Sequence, residues 1–277
     1  MNRRAICVLA WAVLTICGFE LQAHGQGLIA QLPKDGAWVR FEGTVKQVEL
    51  RPDAPEGDIS MEWIQHLTLK SVGGEKAQFH GKQVPCRWIE IKVLVGKASE
   101  AGVDPGPVGE RIYKILVPEE RVMGDVADAG KIPFSYLDIV KGFRKVGATV
   151  SPIPLAGRND GAFQVFPLVC SLMHYDVVEA AGGPEKVQFP GGSVSARKFK
   201  AHRVIESPTL RTTTDAEMWR CDGQSIPFGL AKWTTKTALD RKDDAGARTA
   251  FKPSTQVTVE MAAHEWGTGA KSELAGN

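Results

Sequence analysis

Residues 60–74 read SMEWIQHLTLKSVGG, and their alternation sets the fold class. Met61, Trp63, Leu67 and Leu69 fall on one face and Glu62, His66, Thr68 and Lys70 on the other, the period of two that a half-buried strand requires. Ile64 stands with the second set, so neither face is purely polar. Gly73 and Gly74 close the stretch and read as a turn. The same period continues outward on both sides. AWVRFEGTVKQVEL (Ala37 to Leu50) alternates around Trp38 and is broken by the Pro/Asp/Gly stretch RPDAPEGD. CRWIEIKVLVG places Ile89, Ile91, Val93 and Val95 opposite Trp88, Glu90, Lys92 and Leu94, and ERIYKILVPEE ends at Pro118. KASEAGVDPGPVG, rich in Gly and Pro, reads as the hairpin loop between those two strands.

Beyond this the period changes. In IPFSYLDIVKGFRKVG, Phe134, Leu137, Val140 and Phe143 recur every three positions between Pro133 and Gly147, which predicts a short amphipathic helix. ATVSPIPLAGRNDGA reads as a linker or exposed loop. FQVFPLVCSLMHYDVVEAAGG is ambiguous between strand and helix, with Leu168, Leu172 and Tyr175 favouring a helix from Pro167. Strands then return: EKVQFPGGSVSARKFKAHRVIES as a hairpin about Gly191 and Gly192, followed by TTTDAEMWRC, FGLAKWTTKTAL and TQVTVEMAAHEWG. Within EMWRCDGQSIPFGLAKW (Glu217 to Trp233), Asp222 and Gly223 start a turn, Pro227 holds Ile226 extended and Gly229 can take φ > 0, so this segment reverses one strand into the next.

Short connections between successive strands imply antiparallel pairing, because parallel neighbours need a long crossover. The predicted fold is therefore α+β but mainly β: one large, curved, half-barrel-like antiparallel sheet with one or two covering helices. It occupies a single domain over residues 26–277, with 147–162 as the place where it would subdivide.

The first residues, MNRRAICVLAWAVLTICGFELQAHGQG, read as a secretory signal. Arg3 and Arg4 form the positive region, Ala5 to Phe19 is apolar, and Ala23 or Gly25 offers the cleavage site, giving a leader over residues 1–25. The apolar run is shorter than the roughly 20 residues a spanning helix needs. LTIC at Leu14 to Cys17 resembles a lipobox, but bulky Ile16 argues against a lipid on Cys17, and NRRAI is an ordinary positive region before it is a twin-arginine signal. No later run approaches spanning length, so the mature chain carries no transmembrane segment and is expected in the periplasm or outside the cell. The 34 Lys+Arg against 32 Asp+Glu leave it near neutral, which argues against nucleic acid as a partner. After the leader, Cys86, Cys170 and Cys221 remain; an odd count allows at most one bridge, and the pair is not readable.

Chemistry-bearing patterns are sparse. Cys170 and His174 stand four apart and His80 precedes Cys86 by six, but no C-x-x-C pairing exists, and HEWG at His264 lacks the second histidine of a zinc protease, so no metal site is assigned. GGSVS around Ser193 is not a nucleophile elbow. Apolar neighbours around Cys170 point to burial, which makes a thiol inert. Glu119 with Glu120, and Asp243 with Asp244, point to opposite faces of an extended chain. No catalytic residue and no cofactor is therefore assigned. What stands out is tryptophan: Trp38, Trp63, Trp88, Trp219, Trp233 and Trp266 all fall in predicted strands, either as core or as the lining of an apolar cavity.

AEMWRCDGQSIPFGLAKW, together with AWVRFEGTV, LTLKSVG, RWIEIKV and RIYKILVPE, resembles exported bacterial proteins that look like relatives of the periplasmic lipoprotein-carrier superfamily. That resemblance, over about half of the mature chain, implies a curved half-barrel, a helical lid and an apolar cavity for acyl chains. The inserts KASEAGVDPGPVG and DRKDDAGART depart from it. The expectation is an exported, non-enzymatic envelope protein that binds a lipid-like or apolar small molecule on a Trp-rich sheet face, with Trp63, Trp88, Trp219 and Trp233 as ligand-binding residues. A secreted hydrolase and a structural or protein-interaction envelope protein are the alternatives.

Overall fold

The structure is a computed structural model that describes residues 27–100, 102–106, 109–120, 139–153, 172, 175 and 178–274. Its elements are strands: β1 (Trp38–Glu49), β2 (Ile59–Phe79), β3 (Lys82–Ser99), β4 (Gly102–Asp104), β5 (Arg111–Pro118), β6 (Lys141–Val146), β7 (Thr149–Pro152), β8 (Val178–Phe189), β9 (Gly192–Glu206), β10 (Leu210–Arg220), β11 (Leu230–Arg241) and β12 (Lys252–Gly267). All pairings are antiparallel, in the order β7-β6-β5-β3-β2-β1-β12-β11-β10-β9-β8, with β4 beside β3. The chain meanders outward from the centre to β7, resumes at the opposite edge with β8, and meanders back until β12 lies against β1.

The alternation that predicts the strands also sorts the faces. Val39 and Phe41, Leu67 and Leu69, Ile89, Ile91 and Val93, and Ile115 and Val117 are all within 1% of full burial and share one apolar cluster with Met218, Trp233 and Met261. We call this the inner face. Each such side chain contributes roughly 1.5–3 kcal/mol when fully buried. The sheet is curved as expected: the tip of the β8–β9 hairpin folds across to β12, four positions away, where the Gly191 N–H donates to the Ala263 carbonyl at 3.3 Å and Phe189 meets Trp266 with ring centroids 6.1 Å apart.

Three expectations are corrected. Gly73 and Gly74 do not turn the chain; β2 runs through them with a register shift between Ser71 and Gly74, and Gly73 takes φ +114°. An extra residue in one strand is absorbed as a bulge that glycine tolerates. The turn falls instead at His80 and Gly81, φ +47° and +77°. The helix expected over 132–147 is replaced in its described part by β6, which pairs with β5; its first residues lie outside the described set. The exposed loop expected after it contains β7, paired with β6. The second helix, from Pro167, lies largely outside the described residues, although its last stretch is β8. Among the described residues no covering helix is seen, and no helix is long and apolar enough to cross a membrane.

Part of the cover over the inner face is chain that is neither helix nor strand. Leu28, Ile29 and Ala30 are 0%, 2% and 4% exposed and belong to the inner cluster, as do Leu172 and Tyr175. The outer face is crossed by the segment after β12. Ser272, Glu273 and Leu274 all hydrogen-bond to the fully buried carboxylate of Glu90 on β3.

Candidate functional site

The four tryptophans chosen from the sequence do not share a face. Trp233 is inner and 1% exposed, its ring edge-on to Phe41 at 4.9 Å. Trp63 has the same parity as Leu67 and borders an open cleft of about 450 Å³ beside Val95, Lys97 and Arg111. Trp88 is outer, stacked near Phe143 at 6.3 Å and topped by the Lys114 ammonium at 5.1 Å. Trp219 alternates with inner Met218 and stands between Lys198 and Lys232, 4.9 and 4.4 Å from its ring, while its indole N–H donates to Glu185 at 3.0 Å. Cation and ring satisfy one another there.

Trp233 behaves as core. Its Nε1 is buried with no hydrogen-bond partner among the described residues. Trp233→Phe should therefore cost only lost volume, about 1–2 kcal/mol, read as a shift of the urea midpoint at constant slope. A loss above about 3 kcal/mol would mean that the indole N–H carries a bond.

The hairpin between β10 and β11 closes as its residues predict and adds one unforeseen feature. Asp222 Oδ1 accepts the Gln224 N–H at 2.9 Å, Ile226 is extended at φ −135°, and Gly229 takes φ +76°. Phe228 also takes φ +67° although its side chain is fully buried. A bulky residue in the left-handed region is strained and persists only where its surroundings over-determine it. Here the apolar cluster holds the ring, and the backbone twist aims the Phe228 carbonyl at the N-terminal strap, where it accepts from the N–H groups of Ala30 and Gln31 at 3.0 and 3.1 Å. Gln31 Oε1 in turn accepts the Gly223 N–H, and the Cys221 N–H donates to the Gly229 carbonyl at 3.0 Å. Strap and turn are thus mutually fixed.

Between that strap and the rim of β9 and β10 opens a cleft of about 390 Å³. Pro184, Phe199 and Ala30 provide apolar wall, and Gln31, Ser195, Arg197 and Arg220 provide polar groups. Arg220 is 9% exposed, and its guanidinium lies over the Phe199 ring at 4.7 Å. Its Nη2 approaches the Met218 sulfur at 3.3 Å, and its Nε has no partner among the described residues. Burial pushes its pKa down to about 10. Arg197, exposed, is its cross-strand partner in register. The sequence reading passed over both arginines. The available signal was parity: Ala216, Met218 and Arg220 share a face, and a charge in an otherwise apolar row is the exception to explain.

Thiol and imidazole positions are also placed. Cys86 and Cys221 are buried free thiols, and Cys221 is pushed up to about 12, mainly by burial and then by Asp222, which leaves it inert. Cys170 and His174 lie outside the described residues. On the outer face, Glu42 stands between His66 at 3.8 Å and His264 at 3.7 Å, with Arg40 closest at 2.8 Å. Burial, with Arg40 and His264, lowers the His66 pKa against the pull of Glu42. No group of three metal-ligating side chains occurs among the described residues.

No protein-family model and no curated protein matches the chain. Two solved structures resemble it at 10% identity and TM-score 0.30 over 88% of its length. One is a candidate lipoprotein from Parabacteroides distasonis, 99% covered, and the other a candidate exported protein with a YmcC-like fold from Bacteroides fragilis, 100% covered. Neither is described as a lipoprotein carrier. Superposition that loose carries no argument about the cleft.

Proposed function

We propose that the chain is an exported, non-enzymatic protein of the cell envelope that works as a small-molecule binding module, with its site in the cleft between the strap and the β9–β10 rim. The observation that carries this reading is the cleft itself. About 390 Å³ of space lies against three strands, β8, β9 and β10, and a turn whose backbone is pinned to the strap, within the size range of small-molecule sites and on elements rigid enough to hold a ligand. Export is supported by the leader. Leu28 begins the buried strap only a few residues after Ala23 and Gly25, so cleavage at either would leave the strap intact.

The apolar inner face is the less favoured place for a ligand. Leu28 and Ile29 already pack into it, and an acyl chain laid there would have to displace them. The tryptophans likewise divide between the two faces instead of lining one hollow.

Native mass spectrometry of protein purified from its own envelope tests the reading, with Ser195→Trp as the variant that fills the cleft. A small molecule retained by the wild type and lost in Ser195→Trp is the expected result. Retention of an acyl lipid that survives Ser195→Trp but not Trp63→Ala would return the site to the sheet face. A wild type that retains nothing, and binds no member of a small-molecule panel, ends the binding-module reading.

A further inference from the structure

The geometry points to a small organic oxyanion, a carboxylate or phosphate group on a compact apolar body, as the ligand of the cleft, held between Arg220 and Arg197. This rests on the binding-module reading and deepens it.

A buried cation is normally paired. Taking a guanidinium out of water without a compensating partner is costly, and leaving a buried charge uncompensated is among the larger penalties a fold can carry. Arg220 is nine-tenths buried, yet among the described residues its contacts are a thioether and an aromatic face. Opposite it, in register on β9, stands a second arginine. Like charges facing each other across a strand pair repel, and no ion pair joins either arginine to a carboxylate among the described residues. The cleft wall does contain one acid, Asp222, but its Oδ1 accepts the Gln224 N–H at 2.9 Å, and among the described residues it forms no ion pair with either arginine. Two guanidiniums border one cleft against a single carboxylate that pairs with neither of them, so the site is short of counter-charge, and an oxyanion completes it.

The chemistry fits the shape. A guanidinium presents a planar fork of donors that matches a carboxylate or phosphate bidentately, and such charge-assisted bonds are the strong ones. The Phe199 ring holds the Arg220 plane in place before any ligand arrives. Phe199, Pro184 and Ala30 leave apolar wall for the remainder of the molecule, and Ser195 adds a hydroxyl at the mouth. A bare inorganic ion would use the arginines and waste the wall.

Titration calorimetry on the purified chain tests this with phenyl phosphate and benzoate as probes, inorganic phosphate as the head alone and benzyl alcohol as the body alone. Saturable binding of at least one aromatic anion is expected, tighter than either partial probe. Arg220→Met should weaken it about tenfold or more, while leaving the melting temperature of the unliganded protein unchanged or higher, because an unpaired buried charge has gone. Arg197→Gln, on an exposed position that does not threaten folding, should weaken it several-fold and flatten its salt dependence. Anion binding that is equal in wild type and both variants, or inorganic phosphate binding as tightly as phenyl phosphate, overturns the inference. If envelope-purified protein instead retains a neutral molecule that Ser195→Trp expels and Arg220→Met does not, the binding module stands and the oxyanion falls.

Discussion

Gly43→Ala is expected to lower the melting temperature by about 10 °C, the result of a loss of about 3 kcal/mol or more in a domain of this size. Gly43 lies in mid-β1, opposite Met261 on β12 and Gln65 on β2. An added Cβ would sit far inside van der Waals contact distance of the Glu260 carbonyl oxygen, with the Glu260 carbonyl carbon and the Met261 sulfur each at 2.8 Å. A side chain could swing away from such a clash; a backbone carbonyl in a hydrogen-bonded ladder cannot. The strands must part, and they part at the worst place. In the sheet order, β1 against β12 is the pairing that joins the half built from β1–β7 to the half built from β8–β12. Gly183→Ala is the control, since its Cβ meets nothing within 4 Å and it has no left-handed φ, so it should be neutral or slightly stabilising. Equal melting temperatures for Gly43→Ala and wild type, measured by circular dichroism, would mean that the seam is looser than its geometry.

That seam also marks the limit of what the sequence could tell. Alternation is a local property, so β1, β2, β3 and β5 were legible from Trp38, Leu67, Ile91 and their neighbours, and the hairpin at Asp222 to Gly229 from its turn residues. Pairing of β1 with β12 joins positions more than 200 residues apart, and nothing local encodes it. Gly73 and Gly74 misled because a double glycine serves a turn and a bulge equally well. The three-residue spacing of Val140 and Phe143 misled for another reason. Val140 packs against the outer cluster of Val84, Cys86 and Leu116, and Phe143 stacks near Trp88 from β6, so the spacing records an outer patch and not one face of a helix. Tryptophan count was a poor guide to a site, because large apolar area serves core and cavity alike. The two arginines of the cleft were legible in principle by parity, but only once β10 is known to bury the face that carries Met218.

Glu90→Ala should be comparably damaging, at about 3–5 kcal/mol, and for electrostatic reasons. Glu90 is fully buried between Lys70 and Lys114, its register partners on β2 and β5. It accepts from Lys70 Nζ at 2.9 Å, from Ser272 Oγ at 2.7 Å and from the N–H groups of Glu273 and Leu274 at 3.0 and 3.3 Å. Lys114 Nζ donates to the Leu274 carbonyl at 3.0 Å, and the Glu273 side chain receives Lys70 and Lys92. Burial alone would depress the Lys70 pKa, yet the bonds to Glu273 and Glu90 together raise it, so the ammonium depends on these acids. Removing Glu90 takes one of two carboxylates from a half-buried cation and strands two backbone donors at once, and the segment over β3 should come loose. Hydrogen exchange at residues 272–274 should rise along with the fall in stability. Burial of the Glu273 carboxylate is outweighed by its lysine bonds, which lower its pKa below 4.5, so its share of the stability is present above about pH 4.5 and is lost as pH falls through the folded value. Pairing Glu90→Leu with Lys70→Met separates charge from packing: the double variant should be more stable than Glu90→Leu alone, because the part-buried ammonium that has lost one of its two carboxylates is gone. Losses that simply add in the double variant would show that Glu90 acts through shape and not through charge.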